Sequence, residues 1–381
     1  MPTDPFKDPR ALTRDEILRY SRHLITPEVA MEGQLKLKQA KVLVIGTGGL
    51  GSAITLYLAA AGVGRLGLVD SDVVEESNLQ RQILHGTSDV GRPKLASARD
   101  TLLEINPYVE ITVYETRFSR DNALRLAKPY DIIVDGTDNL PTRYAASDAC
   151  VLLGKPLVHG SVYRFEGQAS VFCAKDGPCY RCVYPDPPPP EVVQRIAVGG
   201  VLGVQPGIIG SIQALETIKL ILGKGRPLIG RLLSFDGLNL RFREVRLHKD
   251  PACIACGTNP TITEELMDYE AFCGVSKPPT AAVPETEMTP RELKQILEAQ
   301  RPIILLDVRD RTRFEAGHIP GARSVPVDEL PHHLHEFTWA DEIVVYGDSD
   351  NQTQQALETL HLGKFSRTRV LRGGLQGWGE N

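Results

Sequence analysis

The stretch KVLVIGTGGLG, Lys41 to Gly51, constrains this chain more than any other. Val42 to Ile45 form a short apolar run rich in β-branched residues, which reads as a buried strand. Glycines follow at once, and Ala53 to Ala61 then read as a helix closed by Gly62. Strand, tight glycine turn and helix together aim free backbone N–H groups and a helix N-terminus at a phosphate. Gly46, Gly48 and Gly51 satisfy G-x-G-x-x-G, and RLGLVD follows as a second strand ending in Asp70. An acidic residue about 20 positions on is the usual ligand of a ribose hydroxyl. By itself the pattern does not separate a dinucleotide from ATP, nor either from a glycine turn that only packs a strand on a helix.

The polar residues that follow favour ATP. Asn78, Arg81 and Lys94 come shortly after the nucleotide strand, in SNLQRQILHGTSDVGRPKLASA. The α-phosphorus of a triphosphate becomes a good electrophile only when the surrounding negative charge is neutralised. Arginine forks two phosphate oxygens, lysine acts as a point charge, and an NAD site has little need for both here. DIIVDGTDN, Asp131 to Asn139, reads as the next strand. Asp138 emerges just past its carboxyl end, where ligands sit in an open doubly wound sheet, and is placed to hold Mg²⁺ between phosphates. The competing reading of Asp138 is an Asx-turn or cap before the helix PTRYAASDACVLL.

Composition narrows the setting. At 381 residues with 42% hydrophobic content the chain is long enough for two domains with real cores. A net charge of −5 without a basic block argues against nucleic acid. No apolar run approaches a membrane span and MPTDPFKDPR has no signal-peptide core, so a cytoplasmic protein is expected. Four of the seven cysteines form two C-x-x-C pairs, Cys179/Cys182 and Cys253/Cys256. Four thiolates in two such pairs suit tetrahedral zinc, and a site closed by four sulfurs is structural. A redox pair or unrelated cysteines are the alternatives.

Before the glycine stretch, DEILRYSRHLI and MEGQLKLKQA read as helices, with Thr13 as a cap; Arg22 sits on the first. Further on, residues 155–174 read as two strands turning at Glu166–Gly167, and residues 231–247 as two more turning at Asp236–Gly237. A proline-rich crossing segment, DPPPPEVVQRIAVGG, and an apolar helix ending in KLILG lie between these hairpins. Residues 259–288 read as a linker. Beyond it, the helix PRELKQILEAQ, the strands PIILLDVR and EIVVYG, and the helix QTQQALETLHL indicate a small α/β domain.

GTGGLG, Asp70, SNLQRQ, Lys94, GTDN and the paired C-x-x-C, in that order, closely resemble the MoeB/ThiF family of ubiquitin-activating-type adenylyltransferases. The resemblance covers about residues 11–258. LLDVR, FEAGHIPGA and LRGGLQGW resemble a rhodanese domain, and the combination is the layout of the MoeZ-type proteins. The resemblance implies a Rossmann-like doubly wound mixed sheet over residues 1–258, followed by the linker and a rhodanese-like domain over 289–381. It assigns Gly46, Gly48, Gly49, Gly51, Asp70, Ser77, Asn78, Leu79, Gln80, Arg81, Lys94, Asp138 and Asn139 to the ATP site. Arg22, Arg81, Lys94 and Asp138 would act in catalysis. Arg22 would reach the neighbouring subunit's ATP, which implies a homodimer.

The implied cofactors are ATP, Mg²⁺ on Asp138 and Zn²⁺ on the four cysteines. The implied substrate is a ubiquitin-like sulfur-carrier protein ending in Gly-Gly, whose carboxylate attacks the ATP α-phosphorus to give an acyl-adenylate and pyrophosphate. That carboxylate is already ionised at pH 7, so positioning and charge neutralisation suffice. Molybdenum cofactor, thiamine, cysteine, thio-tRNA and sulfur-containing secondary metabolites are all compatible destinations. Adenylation of a peptide C-terminus, and nucleotide or carrier binding without turnover, are the alternatives.

Two positions depart from the family pattern. Many relatives carry a cysteine in the crossing segment where this chain has Ile196. An active rhodanese loop begins with cysteine at the end of its strand, whereas Gly347 stands there, followed by Asp348 and Asp350, and no cysteine follows Cys273. Those carboxylates are expected to repel a persulfide anion. Rhodanese sulfurtransferase activity is accordingly expected to be absent, with sulfur coming from an external donor such as a persulfide. Cys150 and Cys173 read as core residues, and Cys273 as an exposed linker residue.

Overall fold

The computed structural model describes residues 11–174, 177–189, 200–274, 287–338, 341–363, 365 and 367–379. They divide into two compact units, the first within residues 11–188 and 200–274 and the second of residue 189 with residues within 287–379.

The first unit is built on eight strands: β1 Lys41–Ile45, β2 Arg65–Asp70, β3 Glu110–Glu115, β4 Ile132–Asp135, β5 Leu157–Tyr163, β6 Glu166–Phe172, β7 Arg231–Asp236 and β8 Arg241–Arg246. Their order across the sheet is β3-β2-β1-β4-β5-β6-β7-β8. The pairs from β3 to β5 are parallel and those from β5 to β8 antiparallel, which makes the mixed doubly wound sheet expected. β1 lies between β2 and β4, so the chain winds outwards in opposite directions from it; such a reversal opens a crevice at the strands' carboxyl ends. β1 is buried on both faces, as a central parallel strand should be. Val42 and Val44 pack with Ile54, Leu58, Leu66 and Leu68, while Leu43 and Ile45 pack with Val69, Ile133 and Tyr144.

Helix Gly49–Ala60 begins four residues earlier than the apolar pattern suggested, so the glycines themselves form its first turn. Thr13 caps the first helix in a reciprocal box with Glu16, and that helix breaks at Tyr20 into Arg14–Arg19 and Ser21–Leu24. The β5–β6 turn falls on Arg164 and Phe165, ahead of the expected Glu166–Gly167, because Glu166 pairs with Tyr163. Arg164 takes the positive φ of 51° that the tight turn needs. Between β7 and β8 the chain turns over residues 237–240, held by Asp236, which accepts from the backbone N–H groups of Leu238 and Asn239.

Residues beyond 258 do not all behave as linker. Helix Tyr269–Phe272 packs on the apolar cluster around Tyr144, and Cys273, expected to be exposed, is buried there. Burial pushes its thiol up to about 11.

The second unit is a parallel five-stranded sheet in the order β11-β10-β12-β13-β9. Its strands are β9 Glu287–Met288, β10 Ile304–Asp307, β11 Arg323–Ser324, β12 Ile343–Tyr346 and β13 Thr368–Leu371. Helices Pro290–Glu298 and Asp350–Leu362 match the expected helical patterns. β9 and β11 have two residues each and carry no alternating pattern long enough to read from sequence.

Candidate functional site

The glycine turn leaves the carboxyl end of β1 at the point where strand order reverses. Gly46 has φ +88°, open to glycine at no steric cost, and a Cβ on Gly51 would lie 2.1 Å from the Gly46 carbonyl oxygen. The turn therefore closes back onto its own helix, whose first N–H groups have no acceptor within the helix. Asp70, at the end of β2, accepts from both the backbone N–H and the hydroxyl of Thr47, each at 2.8 Å. Its other oxygen accepts from the N–H groups of Ser71 and Asp72. One carboxylate thus fixes the glycine turn against the neighbouring strand end.

The SNLQRQ segment lies over the same turn. The Arg81 Cγ and the Pro206 ring are the nearest atoms to a Cβ built on Gly49, and the Gln82 amide is the nearest to one on Gly48. Arg81 donates to the Ser77 carbonyl oxygen at 2.9 Å and is half-exposed. Asn78 is buried and its Oδ1 accepts from the Glu75 N–H, while Ser77 and Gln80 are exposed and Leu79 half-buried. Lys94, at the start of helix Lys94–Ile105, is buried with its Nζ 2.9 Å from the Asp72 carboxylate. Behind the turn, His85 bridges Ser97 and the Thr47 carbonyl. Burial pushes its pKa below the usual histidine value, so it serves there as a neutral imidazole.

Asp138 and Asn139 leave the end of β4, next to β1 in the sheet. Asp138 is exposed, and Asn139 caps helix Leu140–Leu153 by accepting from the Thr142 N–H at 3.0 Å. Arg22 is exposed on the short helix Ser21–Leu24. Ile196 lies outside the described residues.

Beneath this loop lies a polar cluster that the motifs did not reveal. Asp135 is fully buried, 2.8 Å from His159 Nδ1 and 3.7 Å from Arg143 Nε. Burial alone would push the Asp135 carboxyl up, but the bond from His159 and the charge of Arg143 outweigh it and hold it below the usual carboxylate value. Burial likewise pushes His159 down, so a neutral imidazole donates to an ionised carboxylate. The signal was a histidine inside the otherwise apolar run LVHG, facing an acidic strand end.

The four C-x-x-C cysteines converge. Their sulfurs all lie within 4.8 Å of one another, with Cys179–Cys182 at 3.7 Å, Cys179–Cys253 at 3.5 Å and Cys182–Cys256 at 3.4 Å. A tetrahedron with Zn–S bonds near 2.3 Å has edges of about 3.8 Å, so the set fits a four-thiolate metal site. The Asp250 N–H donates to Cys182 Sγ at 3.4 Å, as an amide does to a thiolate ligand.

In the second unit Gly347 follows β12, and the Asp348 carboxylate is not free. It pairs with Arg313 and lies 3.9 Å from Arg309, itself buried against Asp307. The Asp348 charge, one of the two expected to act at this loop, is therefore offset chiefly by Arg313.

The ThiF family profile matches residues 20–255, well over half the chain. A probable adenylyltransferase/sulfurtransferase MoeZ of Mycobacterium tuberculosis is 48% identical over 97% of this chain and 94% of its own length. The chain belongs to the ThiF family. A rhodanese-like profile matches residues 289–381, and the adenylyltransferase and sulfurtransferase MOCS3 of Culex quinquefasciatus is 44% identical over 97% of this chain and 89% of its own. Escherichia coli MccB, solved with ATP, superposes with a TM-score of 0.55 at 23% identity, covering 63% of this chain and 74% of that one, which speaks to the fold alone.

These relatives correct one expectation. Sulfurtransferase activity was expected to be absent, yet full-length relatives are named for it and the rhodanese-like domain is present. The expectation rested on Gly347 in place of a cysteine, on the lack of any cysteine after Cys273 and on repulsion by Asp348 and Asp350, of which Asp348 is paired with Arg313. Among the described residues, no helix is long and apolar enough to cross a membrane.

Proposed function

We propose that this chain is an ATP-dependent adenylyltransferase acting on the C-terminal Gly-Gly carboxylate of a ubiquitin-like sulfur-carrier protein. The observation that carries the reading is the gathering of Asp70, Arg81 and Lys94 around a glycine turn at the reversal point of the sheet, in a chain of the ThiF family. Asp70 fixes the turn and suits a ribose hydroxyl; backbone N–H groups of the turn suit phosphate. Arg81 and Lys94 would offset phosphate charge as pyrophosphate leaves. The carrier carboxylate needs no base, so holding it in line with the α-phosphorus is the main task.

Asp138, the exposed carboxylate beside the turn, suits magnesium, which when bound would neutralise phosphate oxygens. Cys179, Cys182, Cys253 and Cys256 suit structural zinc. Arg22, exposed on its helix, suits the ATP of a partner subunit in a homodimer. Sulfide that displaces AMP from the acyl-adenylate would give the thiocarboxylate directly, whereas a persulfide would give an acyl disulfide that a second thiol must cleave, releasing the thiocarboxylate and a disulfide of the two thiols. The test is ATP–pyrophosphate exchange with purified candidate carriers ending in Gly-Gly. Exchange that depends on one carrier supports the reading; ATP binding without exchange for any carrier overturns it in favour of a binding protein.

A further inference from the structure

Thr137, the residue before Asp138, has every polar group engaged. Its N–H and hydroxyl donate to Asp135 Oδ1 at 3.0 and 2.6 Å, and its carbonyl oxygen accepts from Arg143 at 2.9 Å. Asp135 is itself held by His159 at 2.8 Å, and the Gln213 amide donates to the Asp135 backbone oxygen at 2.7 Å. The rings of Phe172 and Tyr180 lie 5.6 and 5.2 Å from that of His159.

Such an arrangement costs free energy to bury. Two opposite charges and an imidazole leave water, and the Arg143 Nε has no hydrogen-bond partner among the described residues. Fold stability alone would be served as well by apolar packing of the same volume. What the charges supply is direction. Asp135 and Arg143 grip Thr137 from its amide side and its carbonyl side, so the peptide that carries Asp138 has one orientation.

We propose that Asp135, Arg143 and His159 are positioning residues that fix the direction of the exposed Asp138 carboxylate, and thereby set the affinity of the site for a divalent cation with ATP. The inference rests on the metal role given to Asp138 above. His159 acts as a neutral Nδ1–H donor that keeps the shared oxygen arrangement of Asp135 intact. Partners one shell out from a metal ligand typically change metal affinity or activity by about 10–100-fold when removed.

The test uses the full-length chain, ATP and Mg²⁺, and reads the Mg²⁺ concentration for half-maximal ATP binding. His159→Leu and Arg143→Met are expected to raise it about 10-fold or more. His159→Asn, whose side-chain amide can replace the Nδ1–H donor, is expected to stay near the parent value; a merely structural role would not separate Asn from Leu this way. Thr137→Val removes only the hydroxyl bond and is expected to give a smaller shift in the same direction, which carries the test if the buried variants do not fold. Unchanged Mg²⁺ dependence in folded His159→Leu and Thr137→Val, with the dependence lost in Asp138→Ala, overturns the positioning role and leaves the proposed function standing. Unchanged dependence in Asp138→Ala overturns the metal role of Asp138 and the positioning role that rests on it.

Discussion

Asp148→Ala removes one half of an ion pair that has no access to water. Arg181 is 1% exposed and Asp148 fully buried, and Arg181 forks the carboxylate with contacts of 2.9, 3.1 and 2.9 Å. Tyr269 donates to the same carboxylate at 2.8 Å, and the guanidinium lies over the rings of Tyr144 and Phe272. Burial pushes the Asp148 carboxyl up even with these partners, while the carboxylate keeps Arg181 firmly charged. The forked geometry decides for the ionised pair. Alanine would leave a buried guanidinium uncompensated, at a cost of about 3–5 kcal/mol. For a unit of this size each kcal/mol lowers Tm by roughly 2–4 °C, so a drop of roughly 6–20 °C is expected. Tyr269→Phe deletes one hydrogen bond to a charged group and should cost about 1.5–3 kcal/mol. The assay is thermal and urea unfolding of the full chain at pH 7, followed by a probe in the first unit. The double variant Asp148→Leu/Arg181→Met should recover most of the loss, because no lone charge remains. A single-variant loss below about 1 kcal/mol, in the range of an exposed pair, would refute the reading that Asp148 and Arg181 form an ion pair closed off from water.

Elemental analysis should find one zinc per chain, and Cys253→Ser should lower both zinc content and Tm; a metal-free chain of undiminished stability would remove the four-thiolate assignment. Asp138→Ala and Arg22→Ala should each abolish carrier-dependent pyrophosphate exchange, and subunit exchange between them should restore part of it, because one mixed site then regains both residues; no recovery in verified mixed dimers counts against sharing. Gly51→Ala should abolish ATP binding, since the new Cβ would sit 2.1 Å from the Gly46 carbonyl oxygen; retained affinity would mean that the turn relaxes freely. Asp135 has a folded pKa held below the unfolded value of about 3.9, so its contribution is complete above that pH and lost as pH falls through the folded value. Asp135→Asn should therefore be less stable than the parent at pH 7, with the gap narrowing below about pH 4; a gap independent of pH would show that Asp135 is not ionised in the fold.

Local rules were enough for much of this chain. KVLVIGTGGLG specified a strand, a glycine turn and a helix, because only glycine tolerates the Gly46 φ and the approach at Gly51. Thr13 marked a helix start, and it caps that helix reciprocally with Glu16 three residues on. The two C-x-x-C pairs pointed to one metal site because thiol spacing within each pair is itself a local property. Contacts between distant residues were not legible in this way. Asp135 and His159 are 24 positions apart, and Asp148 and Tyr269 are 121 apart. Neither pair carries a period or spacing that announces it. Cys273 looked exposed because its segment is rich in polar residues, yet tertiary packing buries it. Asp348 looked like a repelling charge until Arg309 and Arg313 were placed beside it. Sequence by itself determined which backbone conformations each segment could adopt, and with them the order of strands, turns and helices. Only the tertiary structure decided which charges are compensated and which side chains leave water, because both depend on neighbours that the sheet brings together from remote parts of the chain.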